Sequence, residues 1–159
     1  MKDFYVICDN IRSLENIGSI FRTSDALGVS KIFLCGISGK PPHHKISKTA
    51  LGAENTIPFE HHKQIGRLID KLKKDKIKII ALEQDPPARR AGKKAISYIK
   101  LKPKFSLALI VGNEVKGVSP KILKRCDKII YLPMEGKKES LNVSVAFGVA
   151  GYYVNKGRK

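Results

Sequence analysis

The chain has 159 residues, 42% of them apolar, which is enough for one α/β domain with a sizeable core and too few for two domains with separate cores. Its 31 lysines and arginines face 14 aspartates and glutamates, and the resulting net charge of +17 favours a polyanionic partner, nucleic acid first. The longest apolar runs fall short of the roughly 20 residues of a membrane span, and the opening run to Cys8 is broken by Asp9 too soon for a secretory signal, so a cytosolic protein without a membrane partner is expected.

In chain order, residues 4–8 are rich in aromatic and β-branched side chains and predict a strand. A loop over 9–14 leads to a helix over 15–27, with Ile17, Ile20, Phe21, Ser24 and Leu27 along one side and Gly28 as its stop. A second strand covers 31–35. The stretch 36–47, with Gly39, Pro41 and Pro42, reads as a surface loop, followed by one helical turn at 48–51 and a short strand at 55–59. Ile65, Leu68, Ile69 and Leu72 have helical spacing within a helix read over 60–72, and 77–82 is another strand. This alternation predicts a mostly parallel α/β sheet with helices on both faces.

Residues 85–104 break the rhythm. Between Pro86-Pro87 and Lys104, the cations Arg89, Arg90, Lys93, Lys94, Lys100, Lys102 and Lys104 meet no acidic residue, a density better explained by contact with a phosphate backbone than by a solvated linker. Order resumes with a strand at 105–111, a short helix at 120–125, a strand at 128–132, a polar loop over 133–140 and a last helix over 142–154. That helix is apolar around most of its circumference. Its small residues Ser144, Ala146, Gly148, Ala150 and Gly151 suit close packing in the core or against a second subunit.

Cys8, Cys35 and Cys126 are odd in number and sit in or beside short apolar runs, so buried reduced thiols are expected rather than a disulfide. The adjacent pairs His43-His44 and His61-His62 diverge on a strand or a helix and have no Cys-x-x-Cys nearby, so no metal site is expected.

Ligands of open parallel sheets bind at the carboxyl ends of the strands, and three loops there are chemically unusual. Gly112-Asn113-Glu114-Val115-Lys116-Gly117 can present bare backbone to a ligand, yet it lacks the Gly-Lys-Ser/Thr of a phosphate loop and the spacing of a dinucleotide fingerprint. Leu132-Pro133-Met134-Glu135-Gly136 offers apolar walls for a flat base. In Ser140-Leu141-Asn142-Val143-Ser144, either Ser140 or Asn142 caps the last helix, and the surplus polar groups need a ligand or a facing side chain. On the first helix, Asn16 reads as a second cap or a site residue. Arg22, beside Phe21 at the edge of the apolar stripe, reads as a surface arginine or a phosphate clamp.

Residues 16–29 (NIGSIFRTSDALGV), 109–118 (LIVGNEVKGV), and 130–134 (IYLPM) with 140–146 (SLNVSVA) resemble, in order, the three signatures of the SpoU/TrmH branch of the SPOUT RNA 2'-O-ribose methyltransferases, and 48–54 (KTALGAE) resembles a further segment of that branch. The resemblance spans nearly the whole chain. It implies one methyltransferase domain over 1–159 with a trefoil knot at about 107–155, a homodimer built partly from the first and last helices, and S-adenosylmethionine as cofactor. By resemblance the cofactor lies against Leu82, Gly112, Asn113, Gly117, Leu132, Met134, Gly136, Leu141, Ser144 and Ala146. Arg22 matches the catalytic arginine, and Asn16, Glu114, Ser140 and Asn142 match the polar residues of the catalytic pocket. An arginine holds its proton too tightly to be a good general base, so orienting the ribose hydroxyl and neutralising charge are the easier roles. RNA capture is expected from Arg89, Arg90, Lys93, Lys94, Lys156 and Arg158, with transfer RNA ahead of ribosomal RNA. A non-catalytic RNA-binding protein of the same fold and a knotted enzyme acting on a base are the alternatives.

Overall fold

A computed structural model describes residues 2–84 and 95–159; Arg89, Arg90, Lys93 and Lys94 lie outside the described residues. In chain order the elements are β1 (Phe4–Asp9), α1 (Leu14–Leu27), β2 (Lys31–Cys35), α2 (His44–Ala50), β3 (Phe59–His62), α3 (Ile65–Lys74), β4 (Lys78–Leu82), β5 (Ile96–Ser97), β6 (Leu107–Gly112), α4 (Pro120–Leu123), β7 (Lys128–Tyr131) and α5 (Val143–Asn155). The strands form one seven-stranded sheet in the order β3-β2-β1-β6-β4-β7-β5, and every pairing is parallel.

Alternation along each strand divides the core between the two faces. Val6, Cys8, Ile32, Leu34, Ile80, Leu82, Leu109 and Val111 pack with Phe21 of α1, Ile46 of α2 and Phe147 of α5. Ile7, Phe33, Cys35, Ile79, Ala81, Ala108 and Ile110 pack on the other face with Leu68 and Leu72 of α3 and Ile122 and Leu123 of α4. Both faces are therefore covered, as an all-parallel sheet requires. The three cysteines are buried and form no disulfide among the described residues; burial pushes the Cys35 thiol up to about 12 and the Cys8 thiol further.

Three stretches depart from the sequence reading. A full helix, α2, begins inside the stretch read as loop and replaces the single turn; its cap is His43, whose Nδ1 accepts the Lys45 N–H. The strand read at 55–59 forms four residues later, because Pro58 has no N–H to give a ladder, and its carbonyl instead accepts from Ile32. Residues 60–62, read as helix, belong to that strand, and α3 starts only at Ile65. The end of the stretch read as a basic connection contains β5, paired with β7, and a 3-10 turn over Tyr98–Lys100. The Tyr153 hydroxyl of α5 donates to the carbonyls of Ile99 (2.5 Å) and Leu101 (3.3 Å), tying the last helix to the segment between β5 and β6.

Helices α1 and α2 touch backbone to backbone at Gly18. A Cβ there would lie 2.3 Å from the Ile46 carbonyl oxygen and 2.0 Å from Thr49 Oγ1, and that hydroxyl already donates to the Glu15 carbonyl at 2.8 Å. Gly18→Ala is expected to destabilise the fold by about 1–3 kcal/mol despite alanine's better helix propensity, read as a lower urea midpoint at unchanged slope. An unchanged midpoint would mean that α2 moves away freely.

Candidate active site

Because the sheet is wholly parallel, the loops after β1, β4 and β6 gather with the start of α5 at one edge. The β4 and β6 loops and the start of α5 enclose a cavity of about 360 Å³, lined by Leu82, Glu83 and Gln84 after β4, by Val111 to Val115 and Gly117 after β6, and by Ser140 to Val143 and Ala146 around the start of α5.

The β6 loop is shaped by its own side chains. Asn113 Oδ1 accepts the Val115 and Lys116 N–H groups, each at 2.9 Å, while its Nδ2 donates to the Asn10 carbonyl at 2.8 Å and so ties the loop to the end of β1. Gly117 has φ +66°, and a Cβ there would sit 2.1 Å from Glu83 Oε2, the oxygen that accepts the Val118 N–H at 2.6 Å. Glycine is thus required by conformation and by space at once.

A chain of hydrogen bonds joins the β1 loop and the start of α1 to the β6 loop and the start of α5. Glu114 Oε2 accepts the Arg12 N–H at 3.0 Å, and Oε1 accepts the Ser13 N–H at 3.0 Å and Asn16 Nδ2 at 3.2 Å. Asn16 Oδ1 accepts from Asn142 Nδ2 at 3.1 Å, and Asn142 Oδ1 caps α5 by accepting the Ser144 and Val145 N–H groups. The orientation of both amides follows from the ends of the chain: a carboxylate can only accept, a backbone N–H can only donate, and the two asparagines must point their dipoles between them. Burial works to raise the Glu114 carboxyl, but the N–H groups of Arg12, Ser13 and Glu114 itself and the Asn16 amide outweigh it and hold the group below the ordinary glutamate range.

Four of the five residues matched to the catalytic pocket, Asn16, Glu114, Ser140 and Asn142, are thereby brought together; Ser13, not Asn16, caps α1. Arg22 stands apart. It lies six residues beyond Asn16, about 9 Å along the helix and about 120° around it. It is exposed and is not among the residues lining the cavity.

Of the residues matched to the cofactor, Leu82, Gly112, Asn113, Gly117, Leu141 and Ala146 line the cavity, whereas Leu132, Met134, Gly136 and Ser144 do not. Leu132 is buried and its carbonyl accepts from Gln84 Nε2; Ser144 Oγ is turned onto Asn142 Oδ1 at 2.5 Å. The sequence reading missed Glu83, Gln84, Val111, Val115 and Val143 in the lining. Glu83 and Gln84 directly follow β4, and they reach the lining because that strand lies between β6 and β7.

Lys156 is exposed, with its Nζ 5.8 Å from the centre of the Tyr153 ring. All three guanidinium nitrogens of Arg158 are engaged, on the Lys2 carbonyl (2.7 Å), the Gly28 carbonyl (2.6 Å) and Ser30 Oγ (3.4 Å), so this arginine pins the end of the chain to its beginning rather than standing ready for phosphate. No helix among the described residues is long and apolar enough to cross a membrane, and none of their His, Cys, Asp and Glu side chains cluster as a metal site would.

Residues 3–152 match the model of the SpoU rRNA Methylase family. The chain is 32% identical over 155 residues to YacO of Bacillus subtilis (strain 168), whose name places it in the TrmH family of tRNA/rRNA methyltransferases; the match covers 98% of this chain and 59% of YacO, so the chain spans about three-fifths of that relative. Among solved structures it superposes on the A. aeolicus TrmH/SpoU tRNA modifying enzyme with a TM-score of 0.85 at 30% identity, covering 99% of this chain and 76% of that one. The SpoU methyltransferase AviRb from Streptomyces viridochromogenes, solved with AdoMet, gives a TM-score of 0.87 at 24% identity, covering 99% and 62%. The architecture is that of the SPOUT methyltransferases, a parallel α/β sheet covered on both faces and carrying a trefoil knot. With a family signature running through all but the ends of the chain, the protein belongs to the SpoU rRNA Methylase family.

Proposed function

We propose that the protein transfers the methyl group of S-adenosylmethionine to a ribose 2'-hydroxyl of RNA, transfer RNA by preference, as a cytosolic homodimer whose methyltransferase domain spans residues 1–159. The observation that carries the reading is the bond chain Glu114–Asn16–Asn142, which ties the start of α1 to two residues of the cavity lining, one from the β6 loop and one from the start of α5. A protein that merely bound RNA would have no chemical reason to hold these groups in that order. The preference for transfer RNA draws support from the likeness to the A. aeolicus tRNA modifying enzyme, and the cytosol from three buried thiols.

The cavity suits the cofactor on its own chemistry. Its size is at the lower end of small-molecule sites. Leu82, Val111, Leu141, Val143 and Ala146 give it apolar walls, bare backbone at Gly112 and Gly117 gives it polar edges, and the carboxylates of Glu83 and Glu114 favour a cationic guest. When bound, S-adenosylmethionine supplies a methyl group already activated on a sulfonium, so the protein's task is alignment and exclusion of water. Glu114 and Asn142 hold Asn16, and Asn16 fixes the spacing of the β6 loop from the start of α5. Ser140, in the same lining, is left to orient the incoming ribose.

Arg22 supplies positive charge where the RNA phosphate and the hydroxyl meet, and it does so in the pocket of the partner subunit. Its distance from its own cavity supports this, as does the exposed apolar face of α5, Val145, Val149 and Tyr152, which packs beside α1 and suits a subunit interface.

The test is incubation with S-adenosylmethionine labelled in its methyl group and with bulk transfer RNA, followed by digestion to nucleosides. Label in 2'-O-methylnucleosides is expected. Label on a base would move the acceptor, and no saturable cofactor binding would reduce the protein to an RNA-binding module.

A further inference from the structure

Beside the cavity at the same edge of the sheet, and sharing Asn113, Val115 and Gly117 with it, runs a wider cleft of about 970 Å³ between the β1 and β2 loops, the start of α3 and α4. Six cations line it, Arg12, Lys63, Arg67, Lys116, Lys121 and Arg125, against two carboxylates. Neither carboxylate offsets them well. Asp70 is taken by Arg125, and Asp9 is 5% exposed, with burial pushing its carboxyl towards the neutral form. The other five cations form no ion pair among the described residues.

A concave, low-dielectric wall focuses such a field, so unpaired positive charge in a cleft attracts an anion more strongly than the same charge spread over a convex surface. Its volume of about 970 Å³ suits an extended polymer better than a single phosphate. Its continuity with the cavity matters most, because a strand whose ribose entered at Gly117 would leave along this groove.

We propose that the cleft carries the phosphate backbone of the RNA strand flanking the nucleotide to be modified, with Lys63, Arg67 and Lys121 as its phosphate contacts. This rests on the RNA-methylation reading above and gives the substrate a path that the sequence reading, looking to residues 85–104 and the chain end, did not contain.

The experiment compares binding of bulk transfer RNA between about 50 and 300 mM KCl for three proteins. They are the unaltered chain, the cleft variant Lys63→Gln/Arg67→Gln/Lys121→Gln, and the control Lys71→Gln/Lys73→Gln/Lys74→Gln. The control removes the same charge from the exposed last turn of α3, outside the cleft. For the cleft variant, affinity at low salt should fall at least tenfold and the slope of log K against log salt should shrink by about 2, the value for three lost single-strand phosphate contacts. The control should keep the parental slope, and all three should bind S-adenosylmethionine equally. A parental slope in the cleft variant, or an equal loss in the control, would overturn the cleft while leaving the methylation reading intact. RNA binding with a product methylated elsewhere than ribose would overturn that reading and leave the cleft standing, and no RNA binding by the unaltered chain would end both.

Discussion

Arg22→Ala is expected to lower methyl transfer by about 10²–10³-fold while S-adenosylmethionine affinity stays within a few-fold, the pattern for loss of an electrostatic and orienting group that the cofactor does not touch. The split follows from position. The cavity is closed by residues from the β4, β6 and β7 loops and owes nothing to Arg22, which lies exposed on α1 between the buried Phe21 and Ser24. Stability should barely change, because Arg22 makes no hydrogen bond or ion pair among the described residues. Equal losses of rate and cofactor affinity would instead give Arg22 a structural role.

Subunit mixing then separates the two ways an arginine can reach a pocket. An Arg22→Ala subunit keeps an intact cavity; a Gly117→Val subunit keeps Arg22 but fills the backbone space against Glu83. If the partner supplies the arginine, a co-refolded mixture of these two inactive proteins regains up to about a quarter of parental activity, since half the dimers are mixed and each has one complete site. If each subunit uses its own Arg22, the mixture stays inactive.

Much of this architecture was legible in the residues, and the failures have physical causes. Helix α1 announced itself through a buried stripe and a left-handed glycine at its end, Gly28 with φ +63°. β6 is apolar throughout because it is buried on both faces, so its six buried residues could be read at once. By contrast, β3 is an edge strand whose Phe59-Glu60-His61-His62 is only half-buried, leaving no apolar pattern to read, and α2 hides behind a histidine cap that no propensity rule favours. In the site, the Gly112 and Ser140 loops were found because strand ends in parallel sheets point to ligands. Glu83 and Gln84 were missed for a different reason. They enter the lining because β4 sits between β6 and β7, an order set by crossovers that local sequence does not encode. The direction of Arg158 is similar: its basic character was visible, but not that three acceptors from distant segments would claim its guanidinium.

Glu114→Gln should cost about 10²-fold in turnover and about 1–2 kcal/mol in stability at neutral pH, an amount kept small because the group is partly exposed. The carboxylate accepts with both oxygens, Oε2 from Arg12 and Oε1 from Ser13 and Asn16. Glutamine has one acceptor oxygen. If that oxygen serves Ser13 and Asn16, the NH₂ group faces the Arg12 N–H donor to donor, and the loop after β1 moves away from the loop after β6. The pH dependence has a definite sign. Because Glu114 is held below its ordinary value when folded, its stabilising contribution is complete above the unfolded glutamate pKa of about 4.3 and disappears as pH falls through the lower folded value. Urea midpoints of the two proteins should therefore differ at pH 7 and pH 5 and converge near pH 3. A gap that persists undiminished at pH 3 would assign the effect to shape rather than to the charge that joins the loops after β1 and β6.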